Sequence, residues 1–254
     1  MISVCVPYYS QPLMLRIHLD TWLTYKPEVR KVMKLIIVDD GSPRPAKDVI
    51  DGAYNGAAAG LVDLQLYRIT KDIPWNRNGA RNLGSTVAQT PWLLHMDIDH
   101  ILPPAAAESL AARIHTLSEK FWYRFRRFRV GAADETRNKD AIPRNAKFGE
   151  IKPHIDSYLC SKKLYWKAGG YNEDFSGCLG GGSPFLRELE KVGGPPVVLG
   201  DNICLHVYTR DKCPDASAKL DRSRSEYKRR SIALTRAGKI KGHDPLRFPW
   251  ERVP

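Results

Sequence analysis

Trp92-Leu-Leu-His-Met-Asp-Ile-Asp-His-Ile-Leu-Pro-Pro104 is an apolar run that stops in two carboxylates, Asp97 and Asp99, and is then broken by two prolines. It reads as a buried strand that surfaces at an acidic tip. Side chains two apart on an extended chain point the same way, so Asp97 and Asp99 are expected on one side, with Ile98 returned to the core. Paired carboxylates make a hard oxygen site of the kind that holds Mg²⁺ or Mn²⁺ beside the phosphates of a substrate. A polar loop after a strand would carry the same triplet, so the neighbouring stretches have to decide between the two.

Upstream, Ile2 to Val6 is a β-rich run broken by Pro7 and followed by the loop Tyr8 to Pro12. Leu15, Leu19, Trp22 and Leu23 then recur at helical spacing within a helix expected from Leu13 to Tyr25. Leu35-Ile-Ile-Val38 is unbroken and apolar, as strands covered on both faces tend to be, and it ends in Asp39-Asp40-Gly41. Leu61 to Tyr67 alternates like a strand, and Asn76 to Gly84 opens a helix that runs to about Gln89. Strands alternating with helices imply right-handed βαβ units and a parallel sheet, in which ligands gather at the carboxyl ends of the strands. Tyr9, Asp39, Asp97 and Asp99 all fall at such ends.

Downstream, a helix is expected from Pro104 to about Lys120, with Leu110, Ile114 and Leu117 inward. Phe121 to Val130 reads as one strand, with Phe121, Tyr123 and Phe125 on one side and Arg124 and Arg126 on the other. Those arginines form either a solvated face or a ribbon facing an acceptor. Gly131 to Gly149 has no period and reads as a loop over the site. Ser161 is placed to cap a helix ending at Gly169-Gly170, and Ser183 with Pro184 to start another running from Phe185 to Val192. Val197 to Leu199 and Ile203 to Tyr208 are the last strand-like runs, the second carrying His206. A basic helix is expected from about Asp221 to Ala237.

The 254 residues suffice for one α/β core with an appendage, and 43% apolar content excludes a disordered chain. Five cysteines, odd in number and without a Cys-x-x-Cys pair, point to free thiols in a reducing compartment. Without a leader pattern after Met1 or a run long enough to span a bilayer, the expectation is a soluble, cytoplasmic protein. The net charge of +12 implies an anionic partner or surface, which leaves nucleic acid and peripheral membrane contact both open.

Ile2-Ser-Val-Cys-Val-Pro-Tyr-Tyr-Ser10, Leu35-Ile-Ile-Val-Asp-Asp-Gly-Ser42, Gly79-Ala-Arg-Asn-Leu-Gly84, Asp97-Ile-Asp99 and Gly169-Gly-Tyr-Asn-Glu-Asp-Phe175 resemble, in order and spacing, the family 2 glycosyltransferases of the GT-A fold. The resemblance implies an α/β fold with a mostly parallel sheet over 1–210, a nucleotide-sugar-binding half over 1–104, an acceptor half over 105–210, and a basic C-terminal extension over 211–254. It implies that Pro7 and Tyr9 line the base pocket, that Asp39 accepts a hydrogen bond from the base, and that Arg81, Asn82 and Asp97 support the nucleotide. Asp97, Asp99 and His206 would hold Mn²⁺ or Mg²⁺, although a lone histidine on an apolar strand is equally a core residue. The implied reaction is transfer of a sugar from a nucleotide sugar, UDP-linked above all, to a hydroxyl with inversion.

One departure stands out. The acidic pair that supplies the family's general base falls on Gly181 and Gly182, which leaves Asp174 as the nearest carboxylate in the same loop. Candidate acceptors are an anionic polymer such as hydroxymethyl-pyrimidine DNA, a protein, or a cell-wall or lipid-linked glycan. The competing readings are a nucleotidyltransferase, which would want a glycine-rich basic loop where Pro7-Tyr8-Tyr9-Ser10 stands, and a degenerate nucleotide-sugar-binding module.

Overall fold

The computed structural model describes residues 1–54, 64–130, 149–177, 182–216 and 224–254. It opens with β1 (Ile2–Tyr8), α1 (Pro12–Leu23), α2 (Pro27–Val32), β2 (Met33–Asp39), α3 (Ala46–Tyr54), β3 (Leu64–Ile69), α4 (Arg77–Val87) and β4 (Trp92–His95). β4, β1, β2 and β3 lie side by side and parallel, with Val4 opposite Leu35 on one flank and Leu94 on the other. Alternate side chains of β1 go to opposite cores. Val4, Val6 and Tyr8 pack with Leu15, Leu19 and Trp22 of α1, while Cys5 packs with Ala80 and Leu83 of α4. Burial on both faces is the reason β2 is apolar throughout.

β5 (His100–Ile101), α5 (Pro104–Arg113), β6 (Trp122–Arg124), β7 (Arg126–Arg129), β8 (Glu150–Ile151), β9 (Tyr158–Ser161), α6 (Lys162–Lys167), α7 (Gly182–Gly193), β10 (Val197–Val198), β11 (Cys204–Val207), α8 (Arg224–Arg236) and β12 (Trp250–Val253) follow. The main sheet has the order β10-β6-β9-β4-β1-β2-β3-β12, with β9 and β12 running against the rest, and β5-β11-β7-β8 form a second sheet. The expected α/β architecture with a mostly parallel sheet is therefore present. Among the described residues no helix is long and apolar enough to cross a membrane.

Several local expectations change. The single strand expected over 121–130 is two, because buried Phe125 marks the point where the chain leaves the main sheet for the second. Its arginines form no free ribbon: Arg124 lies over the Trp122 ring at 4.9 Å, and Arg126 is paired with Glu150 and Asp201. Ser161 does cap α6, accepting the Leu164 N–H at 3.1 Å. α7 already includes Gly182, so Ser183 and Pro184 sit inside its first turn. The loop expected over 131–149 lies, save Gly149, outside the described residues. α3 and β12 were not foreseen, and β12 pairs antiparallel with β3, placing Trp250 opposite Ile69.

The acidic tip is a turn, not an extended strand, closed by a hydrogen bond from His100 N–H to the Asp97 carbonyl at 3.0 Å. α1 and the turn that follows it fix the tip, since His18 Nε2–H donates to the Ile98 carbonyl at 2.8 Å and Tyr25 donates to that of Leu102. Burial lowers the His18 pKa to about 4, the Ile98 bond opposing. An unfolded histidine titrates near about 6.5, so below that pH the unfolded chain takes up a proton that the folded chain refuses. The stability is full above about pH 6.5 and is lost on the way down through pH 4, on the order of 3 kcal/mol for this residue. His18→Gln keeps a donor for Ile98 and does not titrate. Urea midpoints at pH 7 and pH 5 should lie closer together in the variant than in the wild type, and equal separations would contradict the assignment.

Candidate active site

A cleft of about 180 Å³ opens at the carboxyl ends of β1 and β4, where the strand order turns back on itself. Pro7 and Tyr9 enter it from the end of β1, Asp40 from just past β2, Trp75 and Arg77 from the entry to α4, and Asp97 and Asp99 from the tip. The loop before α4 lies directly on the turn after β2. Gly41 has φ +65°, and a Cβ there would stand 2.9 Å from the Asp72 Cα, so both the conformation and the space require glycine. Tyr9 ties the same loop down through its hydroxyl, 3.3 Å from an Asp72 carboxylate oxygen.

Asp97 is held on both oxygens. Arg81, wholly buried on α4, donates to Oδ1, and His154 Nδ1 lies 3.1 Å from Oδ2. Burial alone would raise the Asp97 pKa, but Arg81, His154 and Arg77 together hold it well below the usual carboxylate range. A second carboxylate, Asp156, is buried behind the first, 2.8 Å from Arg77 Nη1 and 3.5 Å from Arg81 Nη1. α7 begins on top of this ion-pair cluster, because a side chain at Gly182 would collide with the Asp156 carboxylate.

One carboxylate and two imidazoles, Asp97, His100 and His154, place ligand atoms within 4.8 Å of one another. They are not equivalent. Buried His100 accepts from Arg127 Nη1 at Nε2 and so presents its Nδ1–H to Ser157 Oγ, which commits both ring nitrogens. Asp97 and His154 keep 22% and 33% of their side chains exposed, and Asp99 lines the same cleft. Carboxylate oxygens with one accessible imidazole fit a hard or borderline divalent cation.

Of the residues named from sequence, the structure brings Pro7, Tyr9, Asp97 and Asp99 together and places the others elsewhere. Asp39 is 1% exposed and turned inward, accepting from Ser42 N and Ala46 N at 2.8 Å each and from Arg68 Nη1 at 2.8 Å. Its neighbour Asp40 is the one on the cleft. Asn82 is fully buried and fastens α4 to the 165–173 segment, donating to the Tyr171 carbonyl and Glu173 and accepting from Tyr165. Arg81 reaches the cleft only through Asp97. His206 is exposed on β11, while its neighbours Leu205 and Val207 are buried, and it lies outside the ligand cluster. Asp174 lines a different cavity with Arg230 and Phe248, where it is paired to Arg247 at 2.7 Å.

Asp40, Trp75, Arg77 and His154 escaped the sequence reading. Strand parity could have found Asp40, since Ile37 and Asp39 share one face of β2 and the residue after them need not. Nothing in the stretch Lys152-Pro-His-Ile-Asp156 announces His154.

The model of the family described as Glycosyl transferase family 2 matches residues 3–179. Solved structures of S. aureus TarS resemble the chain at 15% identity, with TM-scores of 0.60 in the complex with UDP and 0.63 in the complex with UDP-GlcNAc. They cover 82% and 86% of this chain, which in turn spans 60% and 61% of theirs, about three fifths of the TarS segment 1–349, and 36% of a longer TarS structure. The mannosyltransferase PcManGT from Pyrobaculum calidifontis, in complex with GDP-Man and Mn²⁺, matches at 15% identity and a TM-score of 0.56, over 81% of this chain and 56% of its own. No curated protein sequence matches the chain.

Proposed function

Because the chain belongs to glycosyl transferase family 2, we propose that it moves a sugar from a UDP-linked donor to an acceptor hydroxyl, with inversion, using Mn²⁺ or Mg²⁺ bound at the acidic tip. The observation that carries the reading is the meeting of Asp97 and Asp99 with Pro7, Tyr9 and Asp40 in one cleft. Pro7 and Tyr9 flank the base. Asp40 accepts from it, a task that suits a group which only accepts when ionised, since uracil offers an N–H. Arg81 keeps Asp97 charged and oriented. Asp97, Asp99 and His154 would hold the cation, which when bound neutralises the leaving diphosphate as a Lewis acid and template. The imidazole favours Mn²⁺ over Mg²⁺, and the Mn²⁺ in the PcManGT complex supports the same choice.

The acceptor reading rests on charge. α8 exposes Arg229, Arg230 and Arg236 and the chain carries +12, which favours an anionic acceptor such as hydroxymethyl-pyrimidine DNA. A degenerate module that binds a donor without turning it over is favoured by Gly182, and by Asp174 standing in another cavity. Mn²⁺-dependent transfer from UDP-sugars, offered that DNA, a peptide and a simple saccharide, separates the readings. Transfer to the DNA supports the whole proposal, transfer to another acceptor removes its last part, and UDP binding without turnover leaves the degenerate module.

The two neighbouring carboxylates should behave differently. Asp40→Asn is expected to weaken UDP binding about 10- to 100-fold, the effect of losing one charge-assisted hydrogen bond, with little change in stability. Asp39→Asn should leave UDP affinity near the wild-type value while costing about 2–3 kcal/mol of stability, because two backbone donors and Arg68 lose their anion. Calorimetry with UDP and urea unfolding give both numbers. A reversed pattern would return the base to Asp39.

A further inference from the structure

Trp75 and Arg77 are two cleft residues that the donor reading leaves without a task. Trp75 has φ +53°, a conformation that bulky L-residues rarely adopt and that persists where the surroundings enforce it. That turn carries the indole to the cleft wall. Its Nε1–H is buried and has no hydrogen-bond partner among the described residues, and neither does Arg77 Nε–H. The Arg77 guanidinium lies 5.9 Å from the Trp75 ring centroid, so the two form one unit.

The guanidinium is anchored from behind. Asp156, 1% exposed, takes Nη1 at 2.8 Å and leaves the other edge of the plane uncommitted to it. α4 starts at Arg77 with no acidic residue in its first turn and no side-chain cap from Asn76. Asp40, Asp97 and Asp99 line the same cleft. The lining therefore combines carboxylates suited to a cation with fixed N–H donors and a positive charge. A ligand that satisfies both carries a metal-binding anion.

We propose that Trp75 and Arg77 form a clamp for the diphosphate of the nucleotide donor, gripping phosphate oxygens that the acidic tip leaves free. The proposal rests on the donor reading above and adds a consequence to it. Because the chain's own cation neutralises part of the leaving group's charge, a nucleoside diphosphate should still bind, more weakly, when divalent ions are removed. A planar, permanently charged guanidinium suits phosphate oxygens, and its rear anchor means that little entropy is lost on binding. The indole N–H supplies a second donor at a fixed position.

Calorimetry with UDP and GDP, and ligand-detected NMR with uridine, both in EDTA, test the clamp. The wild type is expected to bind UDP or GDP measurably more tightly than the nucleoside. Arg77→Gln should weaken the diphosphate about 10- to 100-fold and leave uridine unchanged, the retained uridine signal also showing that the cleft is folded. Arg77→Lys keeps a charge for Asp156 but loses the planar fork, and should recover only part of the affinity. Trp75→Phe keeps an aromatic ring beside Arg77 but removes the N–H together with the pyrrole part of the indole, and should cost about 3- to 10-fold for the diphosphate alone. Diphosphate affinity unchanged in both Arg77→Gln and Trp75→Phe, or uridine and UDP weakened equally, would overturn the clamp while the donor reading stood. A wild type that binds neither UDP nor GDP, with or without Mn²⁺, would bring down the donor reading and the clamp with it.

Discussion

Asp99→Asn is expected to lower Mn²⁺-stimulated release of UDP from a UDP-sugar by about a hundred- to a thousandfold, the range for removing one group aimed at developing charge. The substitution preserves shape and removes one negative charge from the tip. Asp97 cannot take over, since Arg81 already holds its Oδ1. The fold should hardly register the change, because Asp99 is half-buried on a turn whose backbone bond, from Tyr208 N–H to the Asp99 carbonyl at 2.9 Å, is unaffected. Asp99 does bear on Arg127, whose pKa burial pulls down to about 10 against the attraction of Asp99 and Asp97. The melting temperature is therefore expected to move by only a few degrees. Wild-type turnover by the variant in EDTA would remove the metal role from the tip.

Arg81→Met should act in the opposite way, through the fold first. The guanidinium is completely buried between two carboxylates, and deleting one partner of such a set strands the others, at a cost of about 3–5 kcal/mol. The sign with pH is diagnostic. Without Arg81 the folded-state pKa of Asp97 rises, since Arg81 is the charge that chiefly holds it down against burial, and a raised pKa gives stability that is present at low pH and lost as pH rises through it. The difference between variant and wild type should shrink towards pH 5 and widen towards pH 8 in urea unfolding. A deficit that is small and independent of pH would mean that the cluster contributes little.

The architecture was legible because burial on both faces leaves an unambiguous trace. Ile2 to Val6 and Leu35 to Val38 can be continuous only if both sides are covered, and the carboxylates that follow them mark the ends where ligands gather. Single residues were less legible. Asp39 and Asp40 differ by one position, and on a pleated strand one position decides between the core and the cleft. Asn82 looked like a ligand residue because it is polar and sits beside Arg81, yet its amide is spent joining α4 to Tyr171 and Glu173. Asp174 was near in sequence to the expected base but is drawn off by Arg247 from the far end of the chain, a contact across 73 residues that no local pattern reveals. β12 was missed for a related reason: Trp250-Glu-Arg-Val253 is mostly exposed and pairs only because the edge of β3 offers it a partner.

The proposed transferase activity requires that metal and nucleotide meet in the cleft lined by Asp97 and Asp99. Crystals grown with Mn²⁺ and UDP, with diffraction recorded at the manganese absorption edge, measure this directly. The predicted result is one anomalous peak against Asp99 and the Asp97–His154 pair, bridging to a diphosphate whose base lies between Tyr9 and Asp40. A peak elsewhere, or UDP lodged in the cavity of Asp174 and Arg247 with the acidic tip empty, would contradict it.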